Sequence, residues 1–359
     1  MPVVSGFHSC RTSEGLLMRL FVLVFVASAL ITACLRMVLV RHGVMDLPNS
    51  RSSHAVPVPR GGGVAIVVVF LSAVVWILLR HGIPARLAWA LVGGGLAISI
   101  VGFLDDRFRL PPWPRLAVHS LAAAWVLWSL GETQPSQFGN SDSLWSWASR
   151  AAEFAGLVWL TNLFNFMDGI DGLAGMEAVC VSIFGGIVLF RGGLPSYSQL
   201  SWLLAAASLG FLLWNWPPAR IFMGDVGSGF LGFTLGTLAL FSSNSNPRLI
   251  WPWVILLAAF FVDATVTLLR RMFSRARWYE AHRSHAYQHA AQAWASHMKV
   301  TLAVAAINIG WLVPLAWTAS RFPQAAPAFA AVAVVPLVYI TLQFEAGREQ
   351  PSSDVPLQD

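Results

Sequence analysis

Eleven apolar runs, centred near residues 18–40, 62–80, 86–104, 114–131, 152–166, 173–190, 198–214, 227–243, 250–269, 299–319 and 325–343, divide this chain at Gly, Pro and charged breakers. Several reach the roughly 20 residues that cross the hydrocarbon core of a bilayer. In lipid the backbone must satisfy its own polar groups, and runs of that length do so as helices. The expected fold is therefore all-α: a polytopic integral membrane bundle of about 11 transmembrane helices. Composition agrees, since 56% of the 359 residues are hydrophobic and 11% are charged, against roughly 25% charged in soluble domains. The first run, Leu16 to Val40, is too long for the core of a cleaved signal peptide and is expected to remain as the first span. One transmembrane domain over 1–345 is expected, with a short, polar, disordered tail at 346–359.

The net charge of +6 comes almost wholly from arginine, because Lys299 is the only lysine. In such a chain basic residues set topology and attract anionic headgroups, which argues against nucleic acid as the partner. Cys10, Cys34 and Cys180 are scattered and form neither a disulfide framework nor a thiolate metal motif. Placing the loop after the first span in the cytoplasm puts most arginines inside. The same choice puts Asp46, Asp105, Asp106, Asp168, Asp171 and Asp225 on that side, while Asp142 falls on an outer loop. A shared cytoplasmic site explains that clustering.

The densest polar stretch runs from Asn162 to Gly172. If Asn162 to Asp168 ends a helix, Asn162, Asn165 and Asp168 lie close to one face. The Asp168-Gly169 and Asp171-Gly172 pairs then break it. Hard oxygen donors in that number suit Mg²⁺ or Mn²⁺ and, through the metal, phosphate. The adjacent Asp105 and Asp106 repel each other, which points to a cation or a shared proton between them. Arg115 and His119 follow on the next span, where His119 reads as a packed histidine.

Arg51, His54 and Arg60 lie in a Pro-stiffened loop ending in Gly61-Gly62-Gly63; they read either as phosphate ligands or as a positive-inside anchor. Asn215 to Gly229 holds a Gly-rich turn that opens a helix, and such a turn offers backbone N–H groups to a pyrophosphate. Asp225 inside that turn would repel a bare phosphate, so a bridging metal is expected. Asp263 and Glu177, set within apolar runs, are expected to be structurally paired. In the last loop His282, His285 and His289 share one face at helical spacing. With Arg283 they are expected to meet the substrate's phosphates or sugar rather than zinc.

These five ordered motifs resemble the polyprenyl-phosphate N-acetylhexosamine-1-phosphate transferases, glycosyltransferase family 4. The likeness is strongest to the branch that starts O-antigen-type glycans on undecaprenyl phosphate. The resemblance implies a bundle of ten or eleven helices in the bacterial inner membrane and Mg²⁺-dependent transfer from a UDP-N-acetylhexosamine. It also implies catalytic roles for Asp105, Asp106, Asp168, His282 and His285, and metal binding by Asp225 and Asp168. Asn165, Asp171, Asn215, Arg51, His54, Arg60 and Arg283 fall to the substrates. A homodimer is compatible with it. The sequence His282-Arg-Ser-His285 departs from the family's commoner His-x-His arrangement, which leaves the sugar open. A secondary transporter is the alternative, but transporters place their ionisable groups near the midplane and in repeated halves.

Overall fold

A computed structural model describes residues 4–48, 56–131, 144–274 and 282–348. All eleven apolar runs are helical, and the chain is an all-α, multi-pass membrane protein. In order come α1 (Val4–Arg41), α2 (Gly63–Leu79), α3 (Ala85–Trp89) continued through a π-turn into α4 (Gly95–Phe108), α5 (Pro112–Leu130), α6 (Leu144–Phe166), α7 (Leu173–Arg191), α8 (Pro195–Asn215) and α9 (Asp225–Ser245). Then follow α10 (Ile250–Leu256), α11 (Ala258–Phe273), the short α12 (Ala286–Ala293), α13 (His297–Ile307) continued through a π-turn into α14 (Val313–Arg321), and α15 (Ala326–Gln343).

Length and apolarity qualify seven of the described helices as spans, or eight if the pair Pro247–Leu256 and Ala258–Phe273, bent by 70°, is one. Those criteria alone do not reach eleven. The 17-residue α2 is short, and α5 and α6 carry Arg115, His119, Arg150 and Glu153 within otherwise apolar helices.

The helix α9 is central, with almost every side chain buried. It packs against α2, α4 and α6. Two backbones meet where α2 crosses it: a Cβ added to Gly63 would lie 2.4 Å from Cα of Gly227. The crossing therefore leaves no room for a Cβ at Gly63. The crossing brings the loop before α2 onto the loop before α9. There β1 (Met45–Asp46) pairs antiparallel with β2 (Val58–Pro59), and Arg60 bridges to Phe222. One end of the bundle thus gathers the ends of α4, α6 and α8 and the starts of α5, α7 and α9.

The boundary expected at residue 345 falls inside a packed turn. Ala346 is fully buried and Gly347 N–H donates to Ser284 O, so the ordered domain runs at least to Arg348. Its short apolar residues fit between helices where a polar tail would not.

Candidate active site

Two arginines tie the acidic motifs together. Arg60 places Nε 2.8 Å from Asp106 Oδ1, Nη2 2.5 Å from Asp225 Oδ1 and Nη1 3.9 Å from Asp46 Oδ2. Arg115 places Nη1 2.6 Å from Asp105 Oδ2 and Nη2 3.0 Å from both Asp225 Oδ2 and Asn165 Oδ1. Asp225 therefore has one guanidinium on each carboxylate oxygen. Burial disfavours the Arg60 cation, but Asp225, Asp106, Asp46 and Asp168 outweigh it and raise its pKa. Arg60 stays charged.

The helix start expected to cradle a pyrophosphate is taken by a carboxylate. Asp106 accepts the N–H groups of Asp225 at 2.9 Å and Val226 at 3.2 Å. The positive end of α9 satisfies its first donors in this way, as helix N-termini require. Gly224 makes it possible: its φ is +77°, and a Cβ there would sit 2.5 Å from Asp106 Oδ2. Asp105 turns the other way and accepts Leu110 N–H at 2.6 Å. The adjacent carboxylates thus have different backbone partners, while both lie against Asp225.

Asn165 projects from the last turn of α6 and donates to Ser228 Oγ at 3.2 Å. The helix ends at Phe166, so Asp168 lies in the following turn and not on the helical face expected from its spacing. Asp168 interacts electrostatically with Arg60, Asp225, Asp106 and Asp171. Burial lifts its pKa well above the ordinary carboxylate value; Arg60 opposes the rise and the three acids add to it.

Asp171 is set apart from the arginines. Its Oδ2 accepts Ala219 N–H at 2.9 Å and lies 3.5 Å from His297 Nδ1, and its carbonyl accepts from Thr301 Oγ1 at 2.9 Å. Asn215 accepts Gly172 N–H and donates to Ile221 O, each at 3.0 Å. Both side chains are buried and brace the loops on either side of the acidic cluster.

The last-loop histidines do not share a helical face. Asp263 on α11 accepts Ala286 N–H and Tyr287 N–H at 3.0 Å each, so α12 begins only at Ala286. His285 precedes the helix with Nδ1 3.3 Å from Asp263 Oδ1. Its ring stacks on His282 at 5.1 Å, and His282 Nδ1 lies 3.0 Å from Ser284 Oγ. Burial, then His285 and Arg271, push the His282 pKa down to about 3, so its imidazole is neutral. Burial also lowers the Arg283 pKa. This loop reaches the Asn162–Gly172 motif through Tyr287, whose hydroxyl donates to Phe166 O at 2.9 Å. Asp263 and Glu177 are paired as expected, Glu177 with Asn308 Nδ2 at 2.5 Å. Arg51 and His54 lie outside the described residues.

The model of glycosyl transferase family 4 matches residues 88–243. A decaprenyl-phosphate N-acetylglucosaminephosphotransferase of Mycolicibacterium smegmatis is 31% identical over 294 residues, covering 72% of this chain and 71% of that protein. The chain belongs to glycosyl transferase family 4. Within it lie the polyprenyl-phosphate N-acetylhexosamine-1-phosphate transferases that the motifs resemble. A probable undecaprenyl-phosphate N-acetylglucosaminyl 1-phosphate transferase of Bacillus subtilis is 29% identical, covering 71% of this chain and 72% of that protein. A phospho-N-acetylmuramoyl-pentapeptide-transferase of Lactobacillus gasseri is 28% identical, covering 60% and 70%.

In this family-4 chain the matched segment holds Asp105, Asp106, Arg115, Asn165, Asp168, Asp171, Asn215 and Asp225, whereas Arg60, Asp263, His282 and His285 lie outside it. Arg115 and His297 were not singled out for the site from the sequence. The signal for Arg115 was its place in the first turn of the helix after the acid pair. No such signal marks His297, whose partner Asp171 is more than a hundred residues away.

The donor set also bears on a metal. Among the described residues no three His, Cys, Asp or Glu side chains are gathered as ligands, and arginines occupy both oxygens of Asp225. Yet Asp46, Asp105, Asp106, Asp168 and Asp225 outnumber Arg60 and Arg115. An excess of hard anionic oxygen fits Mg²⁺.

Proposed function

We propose that this chain transfers N-acetylhexosamine 1-phosphate from a UDP-sugar to undecaprenyl phosphate or a similar polyprenyl phosphate. The observation that carries the reading is the joining of Asp105, Asp106 and Asp225 through Arg60 and Arg115 where several membrane helices end. The activities for which the relatives are named, polyprenyl-phosphate N-acetylglucosamine phosphotransfer among them, support this substrate class.

In the reaction an oxygen of the lipid phosphate attacks the phosphorus attached to the sugar. That P–O bond forms as the bond to the UMP oxygen breaks, so UMP leaves and a lipid diphosphosugar remains. One phosphoanhydride replaces another, and the protein's work is positioning and charge stabilisation. Arg60 and Arg115 can exchange a carboxylate for a phosphate oxygen at little cost in geometry, since a guanidinium forks to either. Asp105 and Asp106 face the lipid phosphate, orient it and accept its remaining proton. Asn165 and Asp168 hold the nucleotide side. His282 and His285 line the sugar side as a stacked pair of rings. Asp225 and Asp168 would hold Mg²⁺, or Mn²⁺ as a substitute, which would neutralise charge on the diphosphate.

The site opens at the cytoplasmic face of the inner membrane, where a soluble nucleotide meets a lipid headgroup; arginine-rich loops at that end of the bundle support this orientation. The product starts an envelope glycan of the O-antigen type, a reading supported by the motif resemblance.

The position of a label tests the chemistry. With UDP-N-acetylglucosamine carrying ³²P in its β-phosphate, the label is expected in the lipid fraction. Label left in water as UDP, with sugar on the lipid, would show plain glycosyl transfer and overturn the proposal.

A further inference from the structure

We infer that the turn after the last helix, Phe344–Gly347, is a positioning element for the donor side of the active site, acting through α12. The inference rests on the transferase reading and adds to it a segment that lies outside the family match.

The turn makes more bonds than its own geometry requires. Phe344, Glu345 and Ala346 close α15 with N–H bonds to Ile340, Leu342 and Thr341. Two further bonds leave the turn, and both go to the segment around α12. Phe344 O accepts from His289 Nδ1 at 2.7 Å, and Gly347 N–H donates to Ser284 O at 2.6 Å. The Phe344 ring also meets Trp294, at the C-terminal end of α12, edge-on at 5.7 Å. Phe344 and Gly347 thus hold α12 at its leading loop, its middle and its end.

The fit is tight. Glu345 and Gly347 have φ of 54° and 81°, so the chain doubles back over two left-handed residues. A Cβ at Gly347 would lie 2.8 Å from Arg270 Cβ and 3.1 Å from Thr267 O. Any side chain there must lift the turn off α11 and, with it, the bond to Ser284.

What α12 carries explains why its placement matters. Its first turn is fixed from one side by Asp263. Tyr287 on that turn donates to Phe166 O and touches Gly169, the residue after Asp168. His282 and His285 stand on the loop that leads into it. A shift of α12 therefore moves the histidine pair and the Asp168 turn together, while Asp105, Asp106, Arg60 and Arg115 are held by other elements. The turn governs the donor half of the site and leaves the lipid-phosphate half alone.

Gly347→Val, His289→Ala and His289→Asn test this in the full-length, detergent-solubilised protein, with UDP-N-acetylglucosamine and undecaprenyl phosphate as substrates. Asn retains a donor near the position of Nδ1. Gly347→Val and His289→Ala are expected to raise the donor KM about 10-fold with the acceptor KM unchanged. They are also expected to speed amide hydrogen exchange over residues 282–293, and His289→Asn is expected to restore most of both. Unchanged donor KM in the first two variants, or an equal loss in both substrates' parameters, would overturn the inference. A wild-type protein that releases no UMP, yet shows exchange that depends on the turn, would contradict the transferase reading alone.

Discussion

Asp225→Asn is expected to lower kcat/KM by about 10²–10³-fold, the scale seen when one preorganised electrostatic group is removed from an active site. The substitution keeps the side chain's size and its place at the start of α9, so insertion and folding are expected to survive. What it removes is the charge on which Arg60 and Arg115 converge, from 2.5 Å and 3.0 Å. The two guanidiniums then lack a common counter-charge, and the strongest candidate metal ligand is weakened as well. UMP release at several donor and acceptor concentrations, with melting midpoints alongside, measures the effect. Activity within 3-fold of wild type, at equal stability, would show that the cluster is structural only.

Gly102→Ala should be nearly as damaging although it adds a single methyl group. A Cβ at this position would sit 2.5 Å from Asp225 O and 2.7 Å from Val226 N. These are backbone atoms, which cannot swing aside as a flexible side chain could. The helices α4 and α9 must separate, at the cost of about 1–3 kcal/mol typical of overpacking. The separation also pulls the Asp106 carboxylate away from the N–H groups of Asp225 and Val226. Activity is expected to fall more than about 10-fold and the melting midpoint to drop. Gly156→Ala is the control, because nothing lies within 4 Å of its added Cβ; it should change neither. Equal behaviour of the two variants would mean that the α4–α9 contact does not set the site.

The fold class was plain in the sequence because lipid leaves so few options: each long apolar run had to be a helix. Counting spans was harder, since α5 and α6 carry charges and α10 and α11 meet at a sharp bend. The acidic motifs were readable one by one, through Asp-Gly pairs, adjacent carboxylates and a Gly-rich helix start. Their mutual arrangement was not. The reading that gave the start of α9 to a pyrophosphate failed to foresee Asp106 there, because the meeting of two helix ends is tertiary information. The histidine spacing misled for a similar reason. Asp263, on a different helix, captures the N–H groups of Ala286 and Tyr287, and so decides where α12 begins. The chain from residue 346 was read as a tail from its polar neighbours, although Ala346 is fully buried and Gly347 packs against α11.

UMP release by the purified protein tests the central claim most directly, with undecaprenyl phosphate, Mg²⁺ and a panel of UDP-N-acetylhexosamines. Release that requires lipid, divalent metal and one preferred donor is the expected result. Wild-type protein that gives no UMP with any donor, in native membranes as well as in detergent, while a relative such as the Bacillus subtilis transferase works beside it, would contradict the account.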